Sequence, residues 1–199
     1  MKQTRDPERT RSRILESALQ EIHRKGYKAA SLSDILAETG LTRGALYHHF
    51  ANKRAVGFAA LEWVKEHVAE TWLRPLEGCT DPITRFREVM RDLGGRLQEE
   101  DIELGCPLNN LALEMSPIDE EFRTRVVEIY DLWRKGVADA LRLGQSNGTV
   151  NRAVDPLSTA TFIVAALSGC RGLAKAARSS ELLLSCADNL VRYLETLRA

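Results

Sequence analysis

Apolar residues that recur every three or four positions run through most of this 199-residue chain and restrict it to a helical fold. One such series follows an Asp-Pro pair, which is typical of a helix N-cap and first turn. Its members are Ile83, Phe86, Met90, Leu93 and Leu97. The alternating pattern of a half-buried strand is almost absent. The sequence therefore predicts an all-α fold of about nine helices, with loops at 75–80 and 98–105.

The composition is that of a soluble globular protein, with 44% hydrophobic and 28% charged residues. No apolar segment follows the charges at the N-terminus, as a signal peptide would require. The longest apolar run, ATFIVAALSGC, is shorter than the ~18 residues of a membrane span. The four cysteines form no C-x-x-C pair, which favours reduced thiols. We expect a cytoplasmic protein with no membrane partner.

The charge of the chain is divided unequally along its length. Residues 1–55 contain 11 Lys and Arg against 6 Asp and Glu, a net charge of +5. The remaining residues contain 17 and 22, a net charge of −5. A basic N-terminal quarter on an acidic body indicates a polyanionic partner, and chance variation is the alternative.

Two short predicted helices lie close together in the basic region, separated by Gly40-Leu41-Thr42. These are the proportions of a helix-turn-helix, whose second helix lies in the major groove of DNA. The second helix has an apolar back, to which Leu46 and Phe50 contribute, and a polar front. Gly26 is expected to end the preceding helix, and Ser31 or Ser33 to begin the next.

The polar front has side chains suited to contact both the bases and the phosphates of DNA. Arg43 is the best candidate to read a base, most often guanine. Gly44 and Ala45 are small enough to let the helix approach the base edges. Tyr47 and the two histidines after it can donate hydrogen bonds to phosphates, and Lys53 at the start of the fourth helix can bind another.

The segment SLSDILAETGLTRGALYHHFANKRAV resembles the signature of TetR/AcrR-type transcriptional regulators. The resemblance implies a DNA-binding helix-turn-helix domain at 1–52, and a ligand-sensing and dimerisation domain at 53–199. It implies a homodimer on palindromic double-stranded operator DNA. The DNA contacts that it implies are Ser33, Thr42, Arg43, Gly44, Ala45, Tyr47, His48, His49 and Lys53.

The dimer is expected to form through the last two helices. The run from Ala160 to Cys170 is apolar on nearly all faces and contains small residues that permit close helix approach. In the family the last two helices of each subunit pair with those of the partner. A helix in the core of a monomer is the alternative.

The resemblance also implies an inducer pocket among the middle helices. The candidates to line it are Phe86, Met90, Leu111, Met115, Tyr130, Trp133 and Phe162. Little in this set is charged, so we expect a small and largely apolar or uncharged inducer. Each of these residues could instead belong to an ordinary core.

The segment ELGCPLNNLALEMS suggests a reactive thiol. Pro107 suits the first position of a helix, so Cys106 would lie at or beside the N-cap, where free N–H groups favour a thiolate. Around it the sequence resembles a branch of the family that includes repressors of reductase genes for electrophile detoxification, from which it departs at Pro107. The branch implies that Cys106 senses electrophiles with Lys175 nearby. A small buried cysteine is the alternative.

The sequence is compatible with two functions of different classes. One is a homodimeric repressor released from DNA by an inducer or by thiol modification. The other is a helical ligand carrier or enzyme without specific DNA binding, for which the TRGALYHHF segment and Lys53 would have no use. We predict no catalytic residues and no cofactor. We also predict no metal site, because adjacent histidines diverge by about 100° on a helix.

Overall fold

A computed structural model describes residues 6–199 and folds them into α-helices joined by short turns. The ten α-helices of this range are α1 Pro7–Lys25, α2 Leu32–Thr39, α3 Arg43–His49, α4 Lys53–Val68, α5 Pro82–Gly95, α6 Glu99–Leu104, α7 Pro107–Met115, α8 Glu120–Asn147, α9 Pro156–Ala177 and α10 Ser180–Glu195. Within it the only β pairing is an isolated bridge between Val150 and Arg198. The predicted all-α class is confirmed.

Local sequence signals set the ends of the first three helices. Ser31 caps α2 in a reciprocal capping box with Asp34, and Gly40 ends it in a left-handed conformation at φ 62°. The Thr42 hydroxyl accepts a hydrogen bond from the backbone N–H of Ala45 and caps α3. Of the two serines considered for the start of α2, Ser31 is therefore the cap.

Two segments differ from the sequence-based expectation. The sequence after Asn52, which can cap a helix, predicts one α-helix through Trp72. In the structure α4 ends at Val68 and continues as a π-helical turn, Ala69–Leu73, and a 3₁₀ turn, Arg74–Leu76. Pro75 lies in that 3₁₀ turn and has no N–H to extend an α-helix. In the segment 98–105, expected to be a loop, the Asp101 carboxylate accepts the backbone N–H of Gln98 at 3.0 Å and starts α6.

The described chain divides into two compact units. Unit 1 consists of the residues up to Val64 and of Asn110–Val126; unit 2 consists of Lys65–Asn109 and Val127–Ala199. The largest fully buried side chains of unit 1 are Ile14, Ile35, Leu46, Val56, Leu61, Val64 and Phe122. Those of unit 2 are Ile83, Leu108, Leu141, Ile163 and Leu194. The functional boundary between residues 52 and 53 stays a prediction.

Unit 1 contains a close-packed aromatic centre. The Phe122 ring lies 4.7 Å from that of Tyr27 and 5.0 Å from that of Phe58, measured between centroids. A Cβ on Gly57 would come within 2.5 Å of the Tyr27 ring, so only glycine fits at this position of α4. The Glu114 carboxylate accepts the backbone N–H groups of Tyr27 and Lys28, each at 2.8 Å.

Unit 2 is built around α9, which packs against α6 and α10, while α10 also packs against α5. Its aromatic centre is more open, with ring centroids 6.0 Å apart for Trp72 and Phe86 and 5.7 Å apart for Trp72 and Trp133. By length and apolar composition, α9 is the one described helix that could cross a membrane. It contains Arg171 and Lys175, and it packs against α6 and α10.

Candidate DNA-binding surface and ligand cavity

The back of α3 is fixed to the rest of unit 1 by apolar burial. Leu46 is fully buried, and Phe50 and Ile35 are buried beside it. Two side chains of α1 hold α2 in place: the Ser17 hydroxyl donates to the Ile35 carbonyl at 2.7 Å, and Arg13 donates to the Thr39 carbonyl at 2.7 Å. The expected apolar back of α3 is therefore present, and it leaves the opposite face free.

That opposite face of α3 is polar and largely exposed. Arg43, Gly44 and His48 are exposed, and Tyr47 is 54% exposed although it is a large aromatic residue. His49 is half-buried and meets His48 edge-on at 5.1 Å between ring centroids. An exposed tyrosine on a short, capped helix has no structural role in the isolated chain, which favours a contact with a partner.

Residues predicted to contact DNA from two different helices lie together. The Arg43 guanidinium donates a hydrogen bond of 2.7 Å to the Ser33 hydroxyl of α2. This contact joins the start of α3 to the exposed face of α2. A single surface thus contains both side chains, although they lie ten residues apart in the sequence.

Lys53 occupies a defined position in the structure rather than projecting freely into solvent. Its Nζ donates to the Lys28 carbonyl at 2.9 Å and lies 4.9 Å from the Tyr27 ring centroid. Burial lowers the pKa of Lys53, and the Glu114 carboxylate opposes this shift. Its neighbour Arg54 instead forms ion pairs with Asp119 and Glu121.

Unit 2 contains a cavity of ≈ 100 Å³, here called the unit 2 cavity. Its walls come from α5 and the segment that follows it, from α9 and α10, and from the π turn after α4, and they are apolar except at one arginine. The lining residues are Trp72, Met90, Leu93, Gly94, Leu97, Leu167, Cys170, Arg171, Leu183, Leu184, Cys186, Ala187 and Leu190. Of the residues predicted to line an inducer pocket, Met90 is a wall residue.

The other predicted pocket residues are distributed around the molecule. Phe86 and Trp133 are buried and contact Trp72, one layer behind the cavity wall. Leu111 and Met115 are buried residues of unit 1. Phe162 is 52% exposed on α9 and meets the Tyr193 ring edge-on, so its side chain lies at the surface.

Tyr130 belongs to a polar cluster at the junction of α7, α8 and α9. Its hydroxyl donates to the Asn109 amide oxygen at 3.4 Å. Burial raises the pKa of Tyr130 to about 12, Cys106 adds to this shift, and the nearby Ser168 hydroxyl partly opposes it. Ser168 is close enough for that effect but outside hydrogen-bonding geometry, so its buried hydroxyl is left without a partner.

Cys106 lies immediately before the first residue of α7 and is only 7% exposed. A Cβ on the preceding Gly105, which has φ 70°, would come within 3.0 Å of Lys175 Cδ. The lysine implied by the family branch therefore contacts the residue next to Cys106.

Two of the other cysteines are shifted away from the thiolate form. Burial raises the pKa of Cys79, and burial together with the neighbouring Cys186 raises the pKa of Cys170 to about 12.

Arg171 is the functional candidate that the sequence did not reveal. Its Nη2 donates to the Gly105 carbonyl at 2.8 Å, while its buried Nε–H has no acceptor. The only sequence signal would have been a cation within an apolar helix. Residues 6–199 contain no cluster of three or more histidine, cysteine or acidic side chains arranged to hold a metal ion.

A capped helix-turn-helix with an exposed polar second helix, joined to a second helical unit, is the architecture of a DNA-binding regulator. Residues 14–60 match the family model of bacterial regulatory proteins of the tetR family. Residues 82–189 match the C-terminal domain of LmrA/YxaF-like transcriptional regulators. The chain belongs to the TetR family of transcriptional regulators.

Individual relatives agree with this assignment. The chain is 30% identical to the HTH-type transcriptional regulator LmrA of Bacillus subtilis strain 168, over 92% of this chain and 97% of that protein. It is 27% identical to the HTH-type transcriptional repressor DhaR of Mycobacterium sp. strain GP1, over 87% and 86%. A TetR regulator from Chloroflexus aurantiacus J-10-FL has a crystal structure that matches with a TM-score of 0.83 and 29% identity, covering 98% of both chains.

The family match confirms the predicted resemblance and the prediction of a transcriptional regulator rather than an enzyme. The reduced form of Escherichia coli NemR matches with a TM-score of 0.78 at 24% identity, covering 96% of this chain and 97% of that one. This likeness concerns the fold alone. The narrower resemblance to reductase-gene repressors stays a prediction.

Proposed function

We propose that this regulator is a cytoplasmic homodimeric repressor that binds a palindromic operator through α3 and releases it when a ligand occupies unit 2. The observation that carries the proposal is the exposed polar face of α3 on a fully buried apolar back. A carrier or an enzyme would gain nothing from exposing Tyr47 to 54%. A dimer would place two such helices on successive major grooves and double the length of sequence read.

The contacts of the free protein indicate how DNA would be read. The hydroxyl of Ser33 orients the Arg43 guanidinium before DNA arrives, which lowers the entropy lost on binding. Lys53 would have to leave the Lys28 carbonyl to reach a phosphate. We therefore assign base reading to Arg43, and phosphate contacts to Tyr47, His48, His49 and Lys53.

The test begins with an operator selected from a random duplex library, followed by fluorescence anisotropy at several salt concentrations. Arg43→Ala should relax discrimination at one base pair, by roughly 1–3 kcal/mol. Lys53→Ala should weaken binding to all sequences and lower the salt slope by about one ion. Arg91→Ala, an exposed change on α5, is the matched control. Unchanged sequence preference in Arg43→Ala would reject the choice of base reader.

The dimer proposal rests on an exposed stripe along α9. Residues at spacings of three and four form it, and all are small or apolar: Phe162, Ala165, Gly169, Leu173 and Ala176. Phe162 is 52% and Leu173 59% exposed in the single chain. A Cβ on Gly169 would meet nothing within 4 Å, so the helix presents a shallow groove there. A second copy of the same stripe fits this surface by two-fold symmetry.

Gly169→Glu should therefore produce monomers whose operator affinity falls by about 100-fold or more, because two linked half-sites bind far more tightly than one. Sedimentation velocity measures the assembly, and circular dichroism checks folding. Ala153→Glu, in an exposed loop of the same unit, should remain a dimer. Ala166 is half-buried and is the poorer site for this test. A stable Gly169→Glu dimer would place the interface elsewhere.

The coupling between ligand and DNA is proposed to run through the fourth helix. It begins in unit 1 at Lys53 and enters unit 2 at Lys65, and the π turn that follows it contributes Trp72 to the cavity wall. Single π turns within helices are frequent at functional sites. A ligand that shifts Trp72 would act on the same continuous helix that begins next to the DNA-reading surface.

Modification of Cys106 is proposed as a second route of release, and the contact between Gly105 and Lys175 favours it. Quinones and aldehydes should release DNA from Cys79→Ser but not from Cys106→Ser. Mass spectrometry after limiting N-ethylmaleimide gives the order of labelling. Because Cys106 is 7% exposed, labelling slower than that of every other cysteine would identify it as a buried core residue.

A further inference from the structure

The unit 2 cavity has one charged residue in a wall that is otherwise apolar or sulfur-containing. The residues predicted from sequence were largely uncharged and suggested an uncharged inducer. The structure places Arg171 in the cavity wall, and Arg171 is not among the pocket residues predicted from the sequence. A cation that faces a cavity without an acidic residue in its lining changes the expected charge of the ligand.

The hydrogen bonds of Arg171 are incomplete. Its Nη2 donates to the Gly105 carbonyl at 2.8 Å, but its Nε–H is buried without an acceptor. No carboxylate of residues 6–199 forms an ion pair with Arg171. A buried donor on a charged group costs free energy unless something accepts from it. A carboxylate is the group whose geometry best matches the guanidinium edge.

A second cation strengthens the positive field. Lys175 lies one turn after Arg171 on α9, and its side chain packs against Gly105, whose carbonyl accepts from Arg171. Like charges four residues apart on a helix repel each other. The described residues offer Lys175 no ion-pair partner either. An anion beside Arg171 would relieve both costs.

We propose that the unit 2 cavity binds a small organic carboxylate, with its acid group on the Arg171 guanidinium and its apolar chain between α5 and α10. The proposal builds on the ligand-responsive function above and specifies the chemical class of the ligand. The volume of ≈ 100 Å³ selects short-chain acids.

The test is isothermal titration of the full-length protein, without DNA, using butyrate and hexanoate and their neutral isosteres butyramide and hexanamide. At least one acid should bind saturably, and at least about 10-fold more tightly than its amide, the value of a charged hydrogen bond. Arg171→Gln should remove this preference, whereas Arg171→Lys should retain part of it. Arg152→Gln, in an exposed loop of the same unit, is the control.

A variant that keeps Arg171 tests the proposal independently, in case the Arg171 variants misfold. Ala187→Leu would fill part of the cavity and should weaken hexanoate more than butyrate. Equal binding of acid and amide, unchanged acid binding in Arg171→Gln, or no acid binding at all would overturn the proposal. Operator binding is measured in parallel. If the protein binds DNA through Arg43 but binds no acid, only the proposal of a carboxylate ligand is wrong. If it binds the acid but not DNA, only the proposal of a repressor is wrong.

Discussion

The two units differ in how they treat polar groups that are removed from water. In unit 1 the buried Glu21 carboxylate pairs with Arg24 and Lys25, and the buried Ser17 hydroxyl donates to a backbone carbonyl. In unit 2 the buried Trp133 Nε1, Ser168 Oγ and Arg171 Nε have no partner. Unit 1 also has two buried atoms without a hydrogen bond, Glu21 Oε2 and Arg125 Nε. Lys25 Nζ lies 2.7 Å from the Glu21 oxygen, and the Arg125 side chain forms ion pairs and lies 4.2 Å from the Phe58 ring centroid.

This difference fits the two proposed tasks. A protein reads DNA with its outer surface, so the interior behind that surface can be fully packed and fully paired. A site that receives a ligand inside the fold needs space and hydrogen-bonding groups that the protein itself leaves unused. The unmatched groups of unit 2 lie on α8 and α9, around the cavity and the Tyr130 cluster.

The largest expected effect tests the close packing of unit 1. Phe122 is fully buried between Tyr27 and Phe58, so Phe122→Ala should lower the free energy of unfolding by about 3–5 kcal/mol. Leu113→Ala, at a position 72% exposed on α7, should change it by less than about 0.5 kcal/mol. Urea unfolding followed by circular dichroism measures both. A loss below about 1 kcal/mol for Phe122→Ala would contradict a packed centre in unit 1.

Replacing a glycine by alanine should have opposite effects on stability in the two units. In Gly57→Ala the new Cβ would lie 2.5 Å from the Tyr27 ring and 2.8 Å from Phe122, and overpacking of this kind costs about 1–3 kcal/mol. In Gly94→Ala it would meet only Leu184, at 3.7 Å, and alanine is the better helix former by up to about 1 kcal/mol. Thermal unfolding should separate the two variants in opposite directions from the wild type. If both variants changed the melting temperature in the same direction, the two units would not differ in packing as proposed.

Two buried serines compare the matched and unmatched polar groups directly. Ser17→Ala removes a 2.7 Å hydrogen bond to the Ile35 carbonyl and should cost about 1 kcal/mol. Ser168→Ala removes a hydroxyl without a partner and should be neutral or slightly stabilising. The free energy of unfolding from urea titration gives both values. A Ser168→Ala loss as large as that of Ser17→Ala would mean that this hydroxyl is paired.

The last comparison concerns a polar group of unit 2 that is matched. Burial raises the pKa of Asp81, but hydrogen bonds from Thr84 and Arg198 outweigh it and lower this pKa from 3.8 to about 2. The stabilisation is therefore complete above pH 3.8 and is lost as the pH falls through about 2. The stability of the wild type should exceed that of Asp81→Asn at pH 5, and the difference should disappear near pH 2. A difference that persists at the lowest pH would place its cause outside this titration.

Much of the candidate site could be predicted from sequence because its signals are local. The caps of α2 and α3 act over three residues, and the alternation of buried Leu46 with exposed Tyr47 follows from helix geometry. Phe162 and Arg171 could not be placed in this way. Both lie on an apolar helix, and only the packing of α9 on its neighbours decides which side chain faces the cavity and which faces solvent.

The sequence by itself determined the all-α class, the turn between α2 and α3 and the polar face of α3, since hydrogen bonds and periodicity within a few residues fix each of them. Only the tertiary structure decided that Lys53 binds the Lys28 carbonyl, that Lys175 packs on Gly105, and that the Nε–H of Arg171 is left without an acceptor. These contacts join residues 25 to 70 positions apart in the chain. Their partners are set by how whole helices pack, which no local pattern specifies.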